Sequence, residues 1–285
     1  MRRSLGSSSV LTLVLAFTAC DRDALTRQMD PPDAGEVETP DAGPPDLGVP
    51  DAGTPDLGTP DSGIEQAHDP LYVHTGSTLY SFDLDTNQAT VIGDFHTNDG
   101  PVTDLSDIAI DSDGRMFGGS VSKKIYVVHP DTAELDERYS FNDRINGLTF
   151  LPSGHLVIAG DDVTEIDADT GRTVKVLVHG SNYQTSGDII GLPDGQLYWT
   201  VRGTGGNNPS GDLLIRIDPS DGSTQRLGAC GVERIYGLGY ANDTLVGFAS
   251  DGTVVHLDPR NGRSSSVLMM SERWWGATTN PVTWP

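Results

Sequence analysis

Three features of the 285-residue chain predict an all-β fold, a five-bladed β-propeller closed by its C-terminal strand. First, a strand–turn–strand unit recurs with its turns at positions 114, 154, 195 and 244, spaced by 40, 41 and 49 residues. A period of about 43 residues suits four short strands per blade. Second, the array opens with a copy that lacks its leading strand and ends with a leading strand that lacks the rest. Joined, the two ends complete a fifth blade, and ring closure removes the exposed sheet edges that invite aggregation. Third, no segment sustains a 3.6-residue apolar period, so helices are expected to be nearly absent.

The chain begins with Arg2 and Arg3, an apolar run over 10–17, and then Phe17-Thr18-Ala19-Cys20. A basic start, a short apolar stretch and small residues at the cut predict a secretory signal over 1–19, too short to span a bilayer. Cysteine after those small residues resembles the lipobox of bacterial lipoproteins. That resemblance implies cleavage before Cys20 and acylation of its thiol and new amino terminus. Several acyl chains, at about 0.8 kcal/mol per buried CH₂, would make the membrane attachment effectively permanent.

Residues 20–68 read as a disordered acidic tether. From Pro40 a five-residue period, Pro-Asp-x-Gly-x, runs in register to Gly63, with a stray copy at Pro32-Asp33-Ala34-Gly35. Recurrent proline removes backbone donors, and no apolar side chain offsets the entropy that glycine adds. Between positions 21 and 68 there are 12 acids and 2 bases. Mutual repulsion along a proline-spaced chain favours extension, with a reach of roughly 150 Å when stretched.

Residues 69–285 carry the repeats. The leading strands are Asp107-Ile108-Ala109-Ile110, Gly147-Leu148-Thr149-Phe150, Asp188-Ile189-Ile190-Gly191 and Gly237-Leu238-Gly239-Tyr240. Their turns follow at Asp113-Gly114, Ser153-Gly154, Asp194-Gly195 and Asp243-Thr244, where glycine supplies positive φ and Asp or Asn closes side-chain turns. A second apolar strand ending in an Asp-rich turn follows at 126–131, 165–169, 215–221 and 254–261, with an earlier copy at 79–85. Leu156-Val157-Ile158-Ala159, Leu213-Leu214-Ile215 and Thr253-Val254-Val255 are nearly continuous apolar runs, as expected of sheets packed on both faces. The incomplete first copy covers 71–94, and the segment 275–281 supplies the missing leading strand.

The pattern resembles the broad YVTN/NHL/quinoprotein-like propeller group, most clearly at Gly-Leu-Thr-Phe-Leu-Pro-Ser-Gly-His-Leu, 147–156. Positions 167–171 match half of the tryptophan-docking motif of quinoprotein propellers. Glu165 and Lys175 stand where that motif has alanine and tryptophan, so quinone binding is not supported. Propellers host many activities, and the resemblance does not identify one.

Composition excludes several functions. With 41 Asp+Glu against 18 Lys+Arg, the net charge is −23. Such a chain lacks the cations that displace counterions from phosphates, so nucleic acid is not an expected partner. The seven histidines are scattered without zinc-ligand spacing, and no nucleophile elbow occurs. Cys230 is the one thiol left beside Cys20, so no internal disulfide forms once Cys20 is acylated.

Candidate binding residues come from aligning the leading strands. Asp107, Gly147, Asp188, Gly237 and Gly276 share one column, and three positions earlier stand Asp104, Arg144, Thr185, Arg234 and Arg273. That second column is expected at the mouth of the central channel. Three arginines there would recognise carboxylates through planar, paired donors. Tyr236, Trp274 and Trp275 are expected to wall the site, with Asp104 opposite the arginines. A residual insertion at 202–211 is expected as a loop in the fourth blade.

The expected role is a non-enzymatic binding or scaffold lipoprotein, a monomer held in the bacterial envelope on its extracytoplasmic side by lipid on Cys20. Its expected partner is an envelope protein or a small anionic ligand, with no cofactor. The alternative resembles the gluconolactonase-like propellers, metal-dependent lactonases or esterases. Under it Asp107, Asn146 and Asp188 would hold Ca²⁺, an ion that favours oxygen ligands.

Overall fold

The computed structural model describes residues 71–180, 183–203 and 211–279. The signal sequence, Cys20, the tether and most of the insertion at 202–211 lie outside the described residues. Among those described, all regular structure is β, and no helix is long and apolar enough to cross a membrane.

The chain forms five four-stranded antiparallel sheets, as the repeats predict. The first comprises β1 (Leu71–His74), β2 (Thr78–Asp83) and β3 (Gln88–Asp94). A small hairpin follows, β4 (His96–Thr97) and β5 (Gly100–Pro101), which the repeat pattern does not predict. The second blade is β6 (Leu105–Ile110), β7 (Met116–Ser120), β8 (Lys124–Val128) and β9 (Leu135–Ser140). The third is β10 (Gly147–Phe150), β11 (Leu156–Ala159), β12 (Val163–Ile166) and β13 (Thr173–Val178). The fourth is β14 (Tyr183–Gly191), β15 (Leu197–Gly203), β16 (Leu213–Ile217) and β17 (Thr224–Ala229). The fifth is β18 (Ile235–Ala241), β19 (Thr244–Ala249), β20 (Thr253–Leu257) and β21 (Ser264–Met269).

Finally β22 (Gly276–Thr278) returns to the first sheet and pairs with β1, setting Val73 opposite Ala277 and His74 opposite Gly276. The innermost strands β22, β6, β10, β14 and β18 each pack beside the next, and β18 meets β22 again to close the ring. Burial falls outward along each blade. All six residues of β6 are buried, whereas most of β9 is exposed.

The hydrophobic core is divided into five wedges, one between each pair of neighbouring blades. This is why the middle strands read as continuous apolar runs: both faces of each blade are covered. The closing wedge joins Leu71, Val73 and Phe82 of the first blade to Val246, Phe248 and Val254 of the fifth. Trp274 fills it, edge-on to Tyr80 at 5.5 Å and to Phe248 at 6.0 Å between ring centres.

Turn chemistry follows the sequence with one exception. Gly114, Gly154 and Gly195 all have φ near +80° and close onto the carbonyls of Asp111, Leu151 and Leu192. In the fifth blade Asn242 and Asp243 both adopt positive φ instead, a primed hairpin turn that needs no glycine. The Asp-rich turns are side-chain-capped. Asp83 Oδ1 accepts the amides of Asp85 and Thr86, and Asp167 Oδ1 accepts that of Thr170.

Candidate functional site

Five innermost strands converging on one axis leave little room, and the sequence answers with an alternation of Asp and Gly. A Cβ on Gly147 would stand 2.8 Å from the Ile189 amide nitrogen and 3.0 Å from Asp188 Cα. One on Gly237 would stand 2.8 Å from the Gly276 carbonyl carbon. One on Gly276 would collide with His74 Nε2 and Asp107 Oδ1. Gly147 and Gly276 therefore make space for Asp188 and Asp107, and Gly237 for the closing strand.

Those aspartates join blades. Asp107 Oδ2 accepts the Leu148 amide at 2.6 Å, from the second blade to the third. Asp188 Oδ2 accepts the Leu238 amide at 2.5 Å, from the fourth to the fifth, while its Oδ1 accepts Ile189 N–H at 2.5 Å. Hydroxyls do the same at neighbouring positions. Thr149 Oγ1 accepts the Gly191 amide at 3.0 Å, and Thr279 Oγ1 accepts that of Tyr240 at 2.6 Å.

Burial governs the electrostatics of this plug. Desolvation, joined by the proximity of Asp188, pushes the Asp107 carboxyl well above its ordinary range. Desolvation also raises Asp188, against the lowering effect of Asp107 and the backbone amides that bond it. Burial therefore favours the protonated form of both carboxyls.

His74, which sequence reasoning missed, is fully buried beside them. Its Nδ1 meets the Thr75 carbonyl at 2.5 Å, and desolvation lowers its pKa to about 4, so the ring is neutral. Nε2 and Asp107 Oδ1 have no hydrogen-bond partner. No spacing in the sequence marks His74; only its place opposite Gly276 in the closing pair does.

The predicted metal ligands sit differently from a coordination shell. Three of the four carboxylate oxygens of Asp107 and Asp188 accept backbone amides. The Asn146 backbone N–H donates to the Ala159 carbonyl at the start of the third blade. Among the described residues, no group of three or more His, Cys, Asp and Glu side chains is arranged to hold a metal ion.

Of the column expected at the mouth, Asp104, Arg144, Arg234 and Arg273 precede their inner strands while Thr185 lies within β14, and the contacts differ from member to member. The Asp104 carbonyl accepts Val121 N–H at 2.9 Å and its Oδ2 accepts Ser122 N–H at 3.0 Å, capping the turn between β7 and β8. Arg144 Nη1 stands 3.8 Å from Asp161 Oδ1, an exposed pair. Thr185 bonds the Gly187 carbonyl and receives the Trp199 indole N–H at 3.2 Å.

Arg234, with φ +57°, accepts the Ser250 amide on its carbonyl. Nearby Asp251 is held below the usual carboxylate range, first by Thr253 and least by the Arg234 charge. Arg273 is exposed. Tyr236 is half-buried and its hydroxyl accepts Arg202 Nη2 at 3.3 Å.

The two tryptophans part company. Trp274 is fully buried in the closing wedge, so it backs the mouth rather than lining it. Trp275, 38% exposed, remains on the surface. The expectation that both wall one site is corrected by burial: Trp274 packs among the apolar side chains of the closing wedge, and of the two only Trp275 is exposed.

Cys230 is buried, and desolvation raises its thiol to about 12. Asp212 beside it accepts Ser186 Oγ at 2.6 Å and Ile235 N–H at 2.8 Å.

No protein-family model matches the chain, and no curated protein matches it. Similar solved structures include a protein of unknown function from Bacteroides caccae, 14% identical, with a TM-score of 0.41 over 71% of this chain and 73% of that one. U3-55K is 16% identical, with a TM-score of 0.44 over 70% of this chain and 60% of its own. The WD40 repeats of RRP9 are 15% identical, with a TM-score of 0.44 over 70% and 59%.

Proposed function

We propose that the protein is a non-enzymatic binding or scaffold lipoprotein of the bacterial envelope, and that its propeller meets a protein or small anionic ligand at the channel mouth. The observation that carries this reading is the plugged axis. Asp107, Asp188 and His74 are buried where the inner strands converge, so nothing passes through the ring and a ligand must sit on its face. Arg144, Arg234 and Arg273 supply cationic donors on that face, with Asp104, Tyr236 and Trp275 around them and Trp274 behind. A rigid ring presenting loops is a common frame for recognition, and its task is set by the site rather than the fold.

The anchor on Cys20 and the acidic spacer over 20–68 belong to the same proposal, as does membership of the YVTN/NHL-like propeller group. They support a module held away from a membrane to meet a partner. The test is affinity capture from solubilised envelopes with the full chain and with an Arg144/Arg234/Arg273→Ala triple variant. A stoichiometric partner retained by the parent and lost by the variant supports the reading. Equal capture by both removes the mouth from it, and a chain that is free of membrane in fractionation removes the anchor.

A further inference from the structure

Three of the five positions around the mouth are engaged through their side chains, Asp104 by the turn it caps, Arg144 by Asp161 and Thr185 by Gly187 and Trp199, while Arg234 is held through its carbonyl, which accepts Ser250 N–H from a turn that carries Asp251. The fifth differs. Arg273 leads into the first blade, whose corresponding turn is Thr75-Gly76-Ser77 and carries no carboxylate. The adjacent acid, Glu272, accepts the Ser271 hydroxyl at 3.0 Å. Among the described residues, no hydrogen bond or ion pair engages the exposed Arg273 side chain.

Two positions along stands Trp275, with the fully buried Trp274 between them. Arg273 and Trp275 are both exposed on either side of the buried Trp274, so both point away from the core. Trp275 is fixed rather than loose. Its amide donates to the His74 carbonyl at 2.8 Å, and its ring lies against Gly76. A Cβ on Gly76 would sit 3.3 Å from Trp275 Cε3 and 3.1 Å from the Thr103 carbonyl oxygen. Part of the indole thus rests on backbone while the remainder is exposed, and among the described residues no cation lies over it.

An uncovered indole beside an unpaired guanidinium recognises a carboxylate carried on a ring with an apolar C–H face. We propose that Arg273 and Trp275 form a subsite for a hexuronic acid residue. The guanidinium takes the carboxylate through two parallel N–H donors, and the pyranose C–H face stacks on the indole. The Thr103 carbonyl beside the ring offers an acceptor for a sugar hydroxyl. This rests on the reading of the mouth as the binding face and names the ligand class for one sector of it. Because the chain is strongly acidic, the contact must act at short range, with long-range repulsion screened beyond about 8 Å at physiological salt.

The test titrates the full chain with trigalacturonate, and with the neutral galactose trimer as control, by calorimetry and tryptophan fluorescence. The expected result is saturable binding of the acidic trimer alone. Arg273→Gln should weaken it at least tenfold and Trp275→Ala should abolish it, while Arg260→Gln leaves it unchanged. Trp275→Phe, which keeps a ring, serves if Trp275→Ala lowers the melting temperature. Absence of binding at millimolar trigalacturonate, equal binding of the neutral trimer, or indifference to Arg273→Gln overturns the proposal. If a protein partner is still lost from the triple arginine variant while trigalacturonate fails to bind, the uronate subsite falls and the binding face stands.

Discussion

The Asp107 carboxylate accepts the amide of Leu148, 41 residues along the chain and one blade around the ring, at 2.6 Å. Asp188 repeats the arrangement with Leu238, 50 residues on. Each bond runs from one column position to the residue just after the same column position in the next blade, so the links that hold neighbouring blades in register recur with the sequence repeat. Losing the carboxylate leaves a buried amide without an acceptor, which costs about 1–3 kcal/mol per group. Asp188→Ala frees the Leu238 and Ile189 amides together and should destabilise more than Asp107→Ala. Urea denaturation of the two variants checks the order.

The same pair makes stability depend on pH. In the folded protein the two carboxyls retain a proton that the unfolded chain releases near pH 4, so their contribution is fully present below that point and falls as pH rises toward about 8, where Asp188 titrates. His74 acts with the opposite sign. Its pKa is depressed to about 4, so its contribution is present above about pH 6.5 and is lost as pH falls through about 4. The two slopes offset one another between these limits, leaving a net decline above about pH 6.5. Asp188→Asn, which stays neutral at every pH and also removes the charge that helps raise Asp107, should flatten that decline. Melting temperatures of parent and variant from pH 5 to 9 decide it.

Gly276→Ala should be among the most damaging single-methyl additions in the chain. Its Cβ would collide with His74 Nε2 and Asp107 Oδ1, both fully buried and unable to withdraw. Overpacking of this kind typically costs about 1–3 kcal/mol. Because Gly276 sits in the closing strand, the variant should also oligomerise more readily as the ring opens, which light scattering would detect.

Cys230 should be silent toward thiol reagents in the folded protein. It is buried, and desolvation with the nearby Asp212 charge raises its thiol to about 12, so almost no thiolate exists at neutral pH. A Cys20→Ser variant, which leaves Cys230 as the sole thiol, should release colour from a disulfide dye only after denaturant is added. Rapid reaction of the native chain would show that the loop around Cys230 opens.

The ring was legible because its determinants are local and repeated. Gly114, Gly154 and Gly195 recur at turn positions, and the apolar runs of β11, β16 and β20 mark strands covered on both faces. The alignment of Asp107, Gly147, Asp188, Gly237 and Gly276 located the axis as well. What the alignment did not reveal was direction and depth. Trp274 and Trp275 are identical in type, and their opposite fates are set just before the closing strand, where one enters the closing wedge and the other stays at the surface. His74 was hidden for a related reason: it becomes an axis residue through pairing with a strand some 200 positions away, which no local pattern encodes. The β4–β5 hairpin belongs to one blade only, so no repeat points to it.

Pairing β1 with β22 also sets a timetable for synthesis. Val73 must wait for Ala277 to be translated before its inner, axis-facing edge is covered. At about 5–20 residues per second, that interval is on the order of 10–40 s. During it, complete blades can assemble while the first sheet keeps an open edge and the cavity meant for Trp274 stays unfilled. Two nascent chains meeting in that state could exchange the strand each is waiting for, so the demand for chaperones should be greatest just before the final blade closes.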